Sequence, residues 1–118
     1  MQKLLIPIQG SYVAPRFDLA TEVLVARIER GKIIGEPRTI IMERPSDEGL
    51  CQMIVEENIT DVVCGGIEEL HYNFLSWKKV CVLDGIIADW QTALDKALAG
   101  KLRQGDILLS SEDAEMKL

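Results

Sequence analysis

Aromatic residues and cysteines are both scarce in this chain. Phe, Trp and Tyr make up 5% of the residues, so the core must consist chiefly of aliphatic side chains, and stacking platforms for single-stranded nucleic acid are few. The cysteines are Cys51, Cys64 and Cys81, an odd number without CxxC spacing. This pattern argues against a disulfide framework and a zinc ribbon, and it predicts three reduced thiols.

Long apolar runs and an excess of positive charge are also missing. No segment approaches the ~18 apolar residues that span a membrane, and Met1 leads directly into a strand-like segment, so we expect a cytoplasmic protein without export or membrane insertion. The net charge of -6 disfavours nucleic acid and anionic membranes as partners. Residues 1–45 carry seven basic and five acidic side chains, whereas residues 46–118 carry six and fourteen. An anion should therefore prefer the N-terminal part of the chain.

The remaining composition is typical of one globular domain. The chain has 118 residues, of which 47% are hydrophobic and 27% are charged, enough for one core and too few for two domains. We predict a single α/β domain over residues 1–109. The polar end, residues 110–118, is predicted to be a mobile C-terminal tail.

Apolar periodicity predicts five main strands and three helices. The strands are expected at residues 3–8, 20–29, 32–43, 61–64 and 79–83, and residues 105–109 can add a short one. The helices are expected after the N-cap candidate Ser46, over residues 67–77, and after the N-cap candidate Asp89 with Gly100 as its stop. The order is therefore βββαβαβα.

This order predicts a three-layer α/β/α sandwich around a mixed five-stranded sheet. Strands joined by a crossing helix run parallel, whereas the hairpin around Arg30 and Gly31 is antiparallel. If the first strand lies beside the fourth, a crevice opens where the parallel strands end. The strand ends that meet there are Gln9 and Gly10, Cys64 with Gly65 and Gly66, and Asp84 with Gly85. Glycine at each end would let a ligand approach the backbone closely.

Four segments of the sequence carry a recognisable pattern: VAPRFDLA at residues 13–20, DVVCGGI at 61–67, VCVLDG at 80–85 and ALDKALAGKL at 93–102. Together they resemble the dinitrogenase iron-molybdenum cofactor biosynthesis family. The resemblance implies an RNase H-like α/β/α fold and a role in carrying metal clusters to nitrogenase. It further implies an iron-sulfur or iron-molybdenum-sulfur cluster as the bound group and cluster-assembly proteins as partners.

One position departs from the family pattern. Glu68, followed by Glu69, stands where a further glycine is common. Two carboxylates at a helix start suit the helix dipole, but they repel an anionic cluster from the backbone amides that would otherwise attract it.

Cys64 and His71 are the candidate metal ligands. Cys64 closes a buried strand next to the glycine pair, where a thiolate would suit iron; the alternative is a thiol that packs in the core. His71 is the only histidine, and the alternative to a ligand is a solvated residue on the second helix. Cys51 and Cys81 are interpreted as packing residues.

The predicted cofactor-binding residues surround the same strand ends. They are Gln9, Gly10, Arg16, Phe17, Gly65, Gly66 and Asp84. The Arg16 guanidinium either meets an anion or stays solvated, and the Phe17 ring either covers a ligand or anchors its loop to the core.

Two functions fit these residues best, an unrecognised enzyme is the remaining alternative, and hydrolysis is disfavoured. We expect an accessory protein that binds or carries a metal cluster; the alternative is a non-catalytic interaction or regulatory module of the same fold that binds no cluster. Hydrolysis on an RNase H-like sheet requires carboxylates that hold two metals, one of them commonly on the first strand. The first strand has no carboxylate, and the sequence contains no GxSxG, P-loop or HExxH motif.

Overall fold

The architecture comes from a computed structural model that describes residues 1–108. The predicted tail at residues 110–118 lies outside the described residues, as does Leu109, the last residue of the predicted short strand. Within residues 1–108 the chain forms six strands and three α-helices. They are β1 (Gln2–Gln9), β2 (Tyr12–Val13), β3 (Glu22–Glu29), β4 (Lys32–Ile41), α1 (Asp47–Glu56), β5 (Asp61–Val63), α2 (Glu69–Trp77), β6 (Cys81–Leu83) and α3 (Trp90–Leu98), with a 3-10 turn at Phe17–Leu19.

The strands form one mixed sheet in the order β4-β3-β1-β5-β6. β1 runs antiparallel to β3 and parallel to β5, and β5 runs parallel to β6. The first long strand therefore lies in the centre of the sheet beside the strand that follows α1. This arrangement confirms the predicted mixed α/β sheet and places the carboxyl ends of β1, β5 and β6 at one edge.

Side chains on the two faces of the sheet enter two separate cores. Leu5 and Val62 pack with α1 and α2 on one face, whereas Leu4, Ile6 and Val63 pack with α3 on the other. Adjacent residues of β1 are thus buried on opposite faces, which explains why this strand is almost wholly apolar. The result is three layers, as predicted; the narrower RNase H-like assignment stays a prediction.

Two details of the sheet differ from the sequence-based expectation. The segment after β1 was expected to be a loop, but Tyr12 and Val13 pair antiparallel with the end of β1, giving a sixth strand. Gly10 (φ 60°) allows the chain to reverse there. Within the described part of the expected short strand at residues 105–109, a single bridge joins Ile107 to Ile87.

The helix starts follow the predicted capping residues in two cases. The Ser46 hydroxyl accepts a hydrogen bond from the Gly49 amide (2.9 Å), and the Asp89 carboxylate accepts one from the Thr92 amide (3.0 Å). α2 begins two residues later than expected, because the chain at Gly66 is still bridged to Arg16. No helix within residues 1–108 is both long and apolar enough to cross a membrane.

Candidate functional site

We call one set of strand ends the carboxyl edge: Gln9 and Gly10, Cys64 to Gly66, and Asp84 and Gly85. Backbone hydrogen bonds join the parts of this edge that follow β5 and β6. The Gly85 amide donates to the Gly65 carbonyl (2.9 Å), and the Ile86 amide donates to the Cys64 carbonyl (3.0 Å). The segments after β5 and β6 therefore form one continuous unit. The predicted convergence of these strand ends follows from the parallel order of β1, β5 and β6.

Another segment of the same chain packs against the glycine pair of this edge and uses its backbone hydrogen-bonding groups. The Gly66 amide donates to the Pro15 carbonyl (2.7 Å), and the Gly66 carbonyl accepts from the Phe17 amide (2.8 Å). A Cβ on Gly65 would lie 2.5 Å from the Ala14 oxygen and 2.6 Å from the Pro15 oxygen. We expected a ligand to approach closely here, but the close approach is made by residues 14 and 15.

Cys64 is closed off from a metal at this edge. Its side chain has 0% exposure, and its amide donates to the Leu83 carbonyl (3.0 Å). Burial raises the pKa of the Cys64 thiol to about 12, and the Asp84 carboxylate adds to the shift. The thiol is therefore neutral and inaccessible in this conformation, as the core-packing alternative requires.

The remaining predicted edge residues differ in accessibility. Gln9, Gly10 and Arg16 are exposed. The Arg16 guanidinium donates hydrogen bonds to both carboxylate oxygens of Asp18 (3.1 and 2.6 Å). Phe17 is 1% exposed and packs in the core, which fits the anchoring alternative. Asp84 is half-buried; its carboxylate accepts from the Gln104 side chain and its carbonyl accepts from the Gly105 amide (2.8 Å), both after α3.

His71 lies away from the edge, in the interface between α1 and α2. Its ring is buried and its Nε2 atom is 2.8 Å from the Asp47 carboxylate, whereas Nδ1 is 3.9 Å from Cys51 Sγ. The alternative of a solvated helix histidine is wrong, because the packing of α1 against α2 covers the ring. His71 and Cys64 are therefore in different local environments, and Cys51 takes the place beside the imidazole that the prediction gave to Cys64.

Electrostatics around His71 favour an ionised Asp47 beside a neutral thiol. The hydrogen bond from His71, together with one from the Glu48 amide, lowers the pKa of the Asp47 carboxyl. Burial, with a smaller contribution from the nearby Asp47 carboxylate, raises the pKa of the Cys51 thiol to about 11. Asp47, His71 and Cys51 form one hydrogen-bonded row, which we call the Asp-His-Cys row.

The Asp-His-Cys row borders an open groove of about 550 Å³ between α1 and α2. Cys51 and His71 line it, with Val55, Leu70 and Phe74 as apolar neighbours. Its charged lining residues are Glu48, Glu56 and Lys78. Sequence reasoning found His71 but missed its partners: Asp47 and Cys51 share a face of α1 at a spacing of four residues, but only tertiary packing brings His71 to them.

Three further residues named from the sequence are all exposed. Cys81 was interpreted as a packing residue, but it is exposed because it begins the edge strand β6. Glu68 and Glu69 are exposed at the start of α2, and Glu68 makes no side-chain cap. Among residues 1–108, no three His, Cys, Asp or Glu side chains are arranged to hold a metal ion together.

Comparisons with known proteins show where this fold recurs. No protein-family model matches the chain, and no curated protein matches it in sequence. The solved structure of the protein PH0822 is similar with a TM-score of 0.78 and 15% identity, over 87% of this chain and 94% of that one.

Two other solved structures carry descriptive names. A candidate dinitrogenase from Methanocaldococcus jannaschii (MJ0327) has a TM-score of 0.70 and 22% identity, over 86% of this chain and 92% of that one. A candidate NifB protein of the DUF35 family from Thermotoga (TM1290) has a TM-score of 0.69 and 17% identity, over 94% and 99%. At these identities the likeness establishes a shared mixed α/β fold, and the chain spans nearly the whole of each of these proteins.

Proposed function

We propose that this chain is a non-catalytic accessory protein that binds a metal cluster, of the iron-sulfur or iron-molybdenum-sulfur class, and passes it to cluster-assembly proteins. One observation carries the proposal: the segments at residues 13–20, 61–67 and 80–85, which carry the family resemblance, are hydrogen-bonded to one another at the carboxyl edge. Residues that resemble a family in sequence thus form one structural unit. The shared fold with a candidate dinitrogenase and a candidate NifB protein supports the same role.

The carboxyl edge does not itself fit a cluster in this conformation. The Cys64 thiol is buried, the Gly66 amide is bonded to Pro15, and Glu68 and Glu69 add negative charge at the start of α2. Sulfur-bridged clusters are held by accessible thiolate or imidazole donors. Cys51 and His71 are also buried, at 6% and 8% exposure, and Cys51 packs in the core as predicted, but unlike Cys64 they line the α1–α2 groove. A cargo that carries soft metal therefore finds its donors there.

A carrier role also suits the small number of donors. Four cysteines fix a permanent iron-sulfur cluster, whereas the groove offers one thiol and one imidazole. A cargo held by two protein ligands keeps open positions, so a receiving protein can displace it. We propose no hydrolytic activity, since β1 carries no carboxylate that could hold a catalytic metal.

The proposal is tested by anaerobic purification of the full chain, followed by iron and molybdenum analysis and by reconstitution with a preformed cluster. We expect substoichiometric metal as isolated and visible absorbance after reconstitution. The Cys64→Ser variant should keep this absorbance wherever it remains folded, because its thiol is inaccessible, and Cys81→Ser is the matched control for an exposed thiol. A natively folded wild-type chain that takes up no cluster would refute the carrier role.

An interaction module that binds no cluster is the second candidate, favoured by the outer face of α2. Leu70 and Trp77 are 72% and 75% exposed, and the Lys78 ammonium lies 4.8 Å from the Trp77 ring centroid. Large exposed apolar side chains on one helix face are typical of a protein-binding surface. Sedimentation of the metal-free chain should then show association that Trp77→Ser abolishes and that Ile41→Ser, an exposed change on β4, retains. A strictly monomeric chain at high concentration would remove the self-association form of this candidate.

A further inference from the structure

We infer that Cys51 and His71 form a binding site for a soft divalent transition-metal ion, with Asp47 as the residue that orients the imidazole. The site is separate from the carboxyl edge. It depends only on the geometry of these three residues, and it would exist whether or not the cargo of the proposed function is a cluster.

The two donor atoms are spaced for one metal. Cys51 Sγ and His71 Nδ1 are 3.9 Å apart. A tetrahedral ion with a metal–sulfur distance of about 2.3 Å and a metal–nitrogen distance of about 2.0–2.1 Å holds these atoms about 3.6 Å apart. A shift of a few tenths of an ångström therefore closes the pair on an ion, which is within the reach of a side-chain adjustment.

The Asp47 carboxylate fixes which nitrogen is free to bind. Nε2 lies 2.8 Å from Asp47 Oδ2, so the tautomer of the neutral imidazole that fits this contact has its proton on Nε2 and donates it to the carboxylate. In that tautomer Nδ1 carries no proton, and it is the nitrogen that faces Cys51 Sγ. A histidine whose far nitrogen donates to a carboxylate is the usual arrangement around protein-bound metals, because it sets the tautomer and increases the basicity of the ligand.

Rigid elements hold all three residues. Asp47 begins α1 directly after the Ser46 cap, and Cys51 follows four residues later on the same face. His71 lies in the first turn of α2, with its ring 6.2 Å from the buried Phe17 ring. Donors on packed helices keep their spacing better than donors on loops.

The groove selects for the class of metal and leaves room for further ligands. Calcium and magnesium require several oxygen ligands, whereas the groove presents a thiol and an imidazole next to Val55, Leu70 and Phe74. Sulfur and imidazole donors favour zinc, cobalt and iron. Because no third donor converges within residues 1–108, the other coordination positions fall to solvent or to ligands that arrive with the metal.

The test uses Co²⁺ alone with the full, reduced chain under anaerobic conditions. We expect a thiolate-to-cobalt charge-transfer absorption in the wild-type chain that is lost in Cys51→Ser and retained in Cys81→Ser. His71→Asn should also lose tight binding, and Asp47→Asn should weaken it by about 10–100-fold while preserving the thiolate band, as expected for the partner of a ligating histidine. A band that survives in Cys51→Ser, or that disappears in Cys81→Ser, would overturn the assignment.

The wild-type chain provides a second test that no folding defect can obscure. Bound Zn²⁺ should slow alkylation of Cys51, mapped by peptide mass, and leave the rate at the exposed Cys81 unchanged. Equal rates at Cys51 with and without saturating Zn²⁺ would refute the site. Cobalt binding without cluster uptake would keep this site and remove the carrier function, whereas cluster uptake without a Cys51-dependent cobalt band would keep the carrier function and remove this site.

Discussion

Replacing Gly65 by alanine should destabilise the fold more than any other glycine-to-alanine change at the carboxyl edge. The added Cβ would lie 2.5 Å from one backbone oxygen and 2.6 Å from a second, and neither oxygen can move without displacing the loop that Gly66 holds. Overpacking of this kind costs about 3 kcal/mol. With an unfolding entropy of about 2.1 cal/mol/K per residue, a chain of this length should lose about 12 °C in Tm.

Gly66→Ala is the matched control for this change. Its Cβ would meet only the Pro15 oxygen, at 3.3 Å, so we expect a loss of about 1 kcal/mol or less. Both substitutions restrict the unfolded chain to the same extent, so the difference between the two variants isolates the clash. Urea unfolding measures both; a Gly65→Ala variant as stable as Gly66→Ala would show that the loop at residues 14–15 does not pack on Gly65 as the structure has it.

Three further predictions concern the thiols and Asp47. Cys64→Ser should cost about 1–3 kcal/mol of unfolding free energy because it buries a hydroxyl, whereas Cys81→Ser, at an exposed position, should be nearly neutral by the same urea assay. The folded-state pKa of Cys64, raised from 9.0 to about 12, leaves stability intact below pH 9. Between pH 9 and 12 the unfolded thiol ionises first, so this thiol alone should lower stability by up to about 1.4 kcal/mol per pH unit. Cys64→Val should remove that contribution and leave the one from Cys51, whose pKa is raised to about 11. The pKa of Asp47 is lowered from its ordinary value of 3.8, so its ionised carboxylate stabilises the fold above pH 3.8, and this stabilisation is lost as the pH falls below that value. Acid unfolding of Asp47→Asn should lack this contribution. An acid-unfolding profile that is the same as that of the wild-type chain would contradict the Asp47–His71 hydrogen bond.

Much of the fold could be predicted from the sequence because its signals are local. The apolar run of β1, the caps Ser46 and Asp89, and the period-3.6 stripe of α3 each depend on residues close in the chain. The pairing of Tyr12 with Gln9 was missed because two residues carry too little pattern to distinguish a short strand from a loop. Cys81 was misjudged because a residue at the start of an edge strand has a neighbouring strand on one side only, which here is β5.

The candidate site could be predicted only in part, for a different physical reason. His71 was selected as a ligand from its residue type, but its partners are set by the way α2 packs on α1, 20 and 24 residues away in the chain. The glycine pair at residues 65 and 66 was assigned to a ligand, although its local pattern is equally satisfied by a backbone segment of the same chain. The sequence shows that another group can pack closely against these glycines, but only the tertiary structure shows whether that group is a ligand or a segment of the same chain.

The position of the metal donors relative to the resemblance bears directly on function. The segments that resemble the nitrogenase-related family at residues 13–20, 61–67 and 80–85 build a closed edge whose thiol and glycine amide are already used. Asp47, Cys51 and His71 all lie outside those segments, on α1 and α2. The segments that carry the resemblance therefore account for the scaffold, while the metal site proposed here uses side chains outside those segments. Phe17 connects the two regions, because its amide donates to Gly66 at the edge and its ring lies 6.2 Å from the His71 ring. A metal that reorients the His71 imidazole would force this ring to repack against Phe17. Metal binding at the groove should therefore also change the packing at the carboxyl edge.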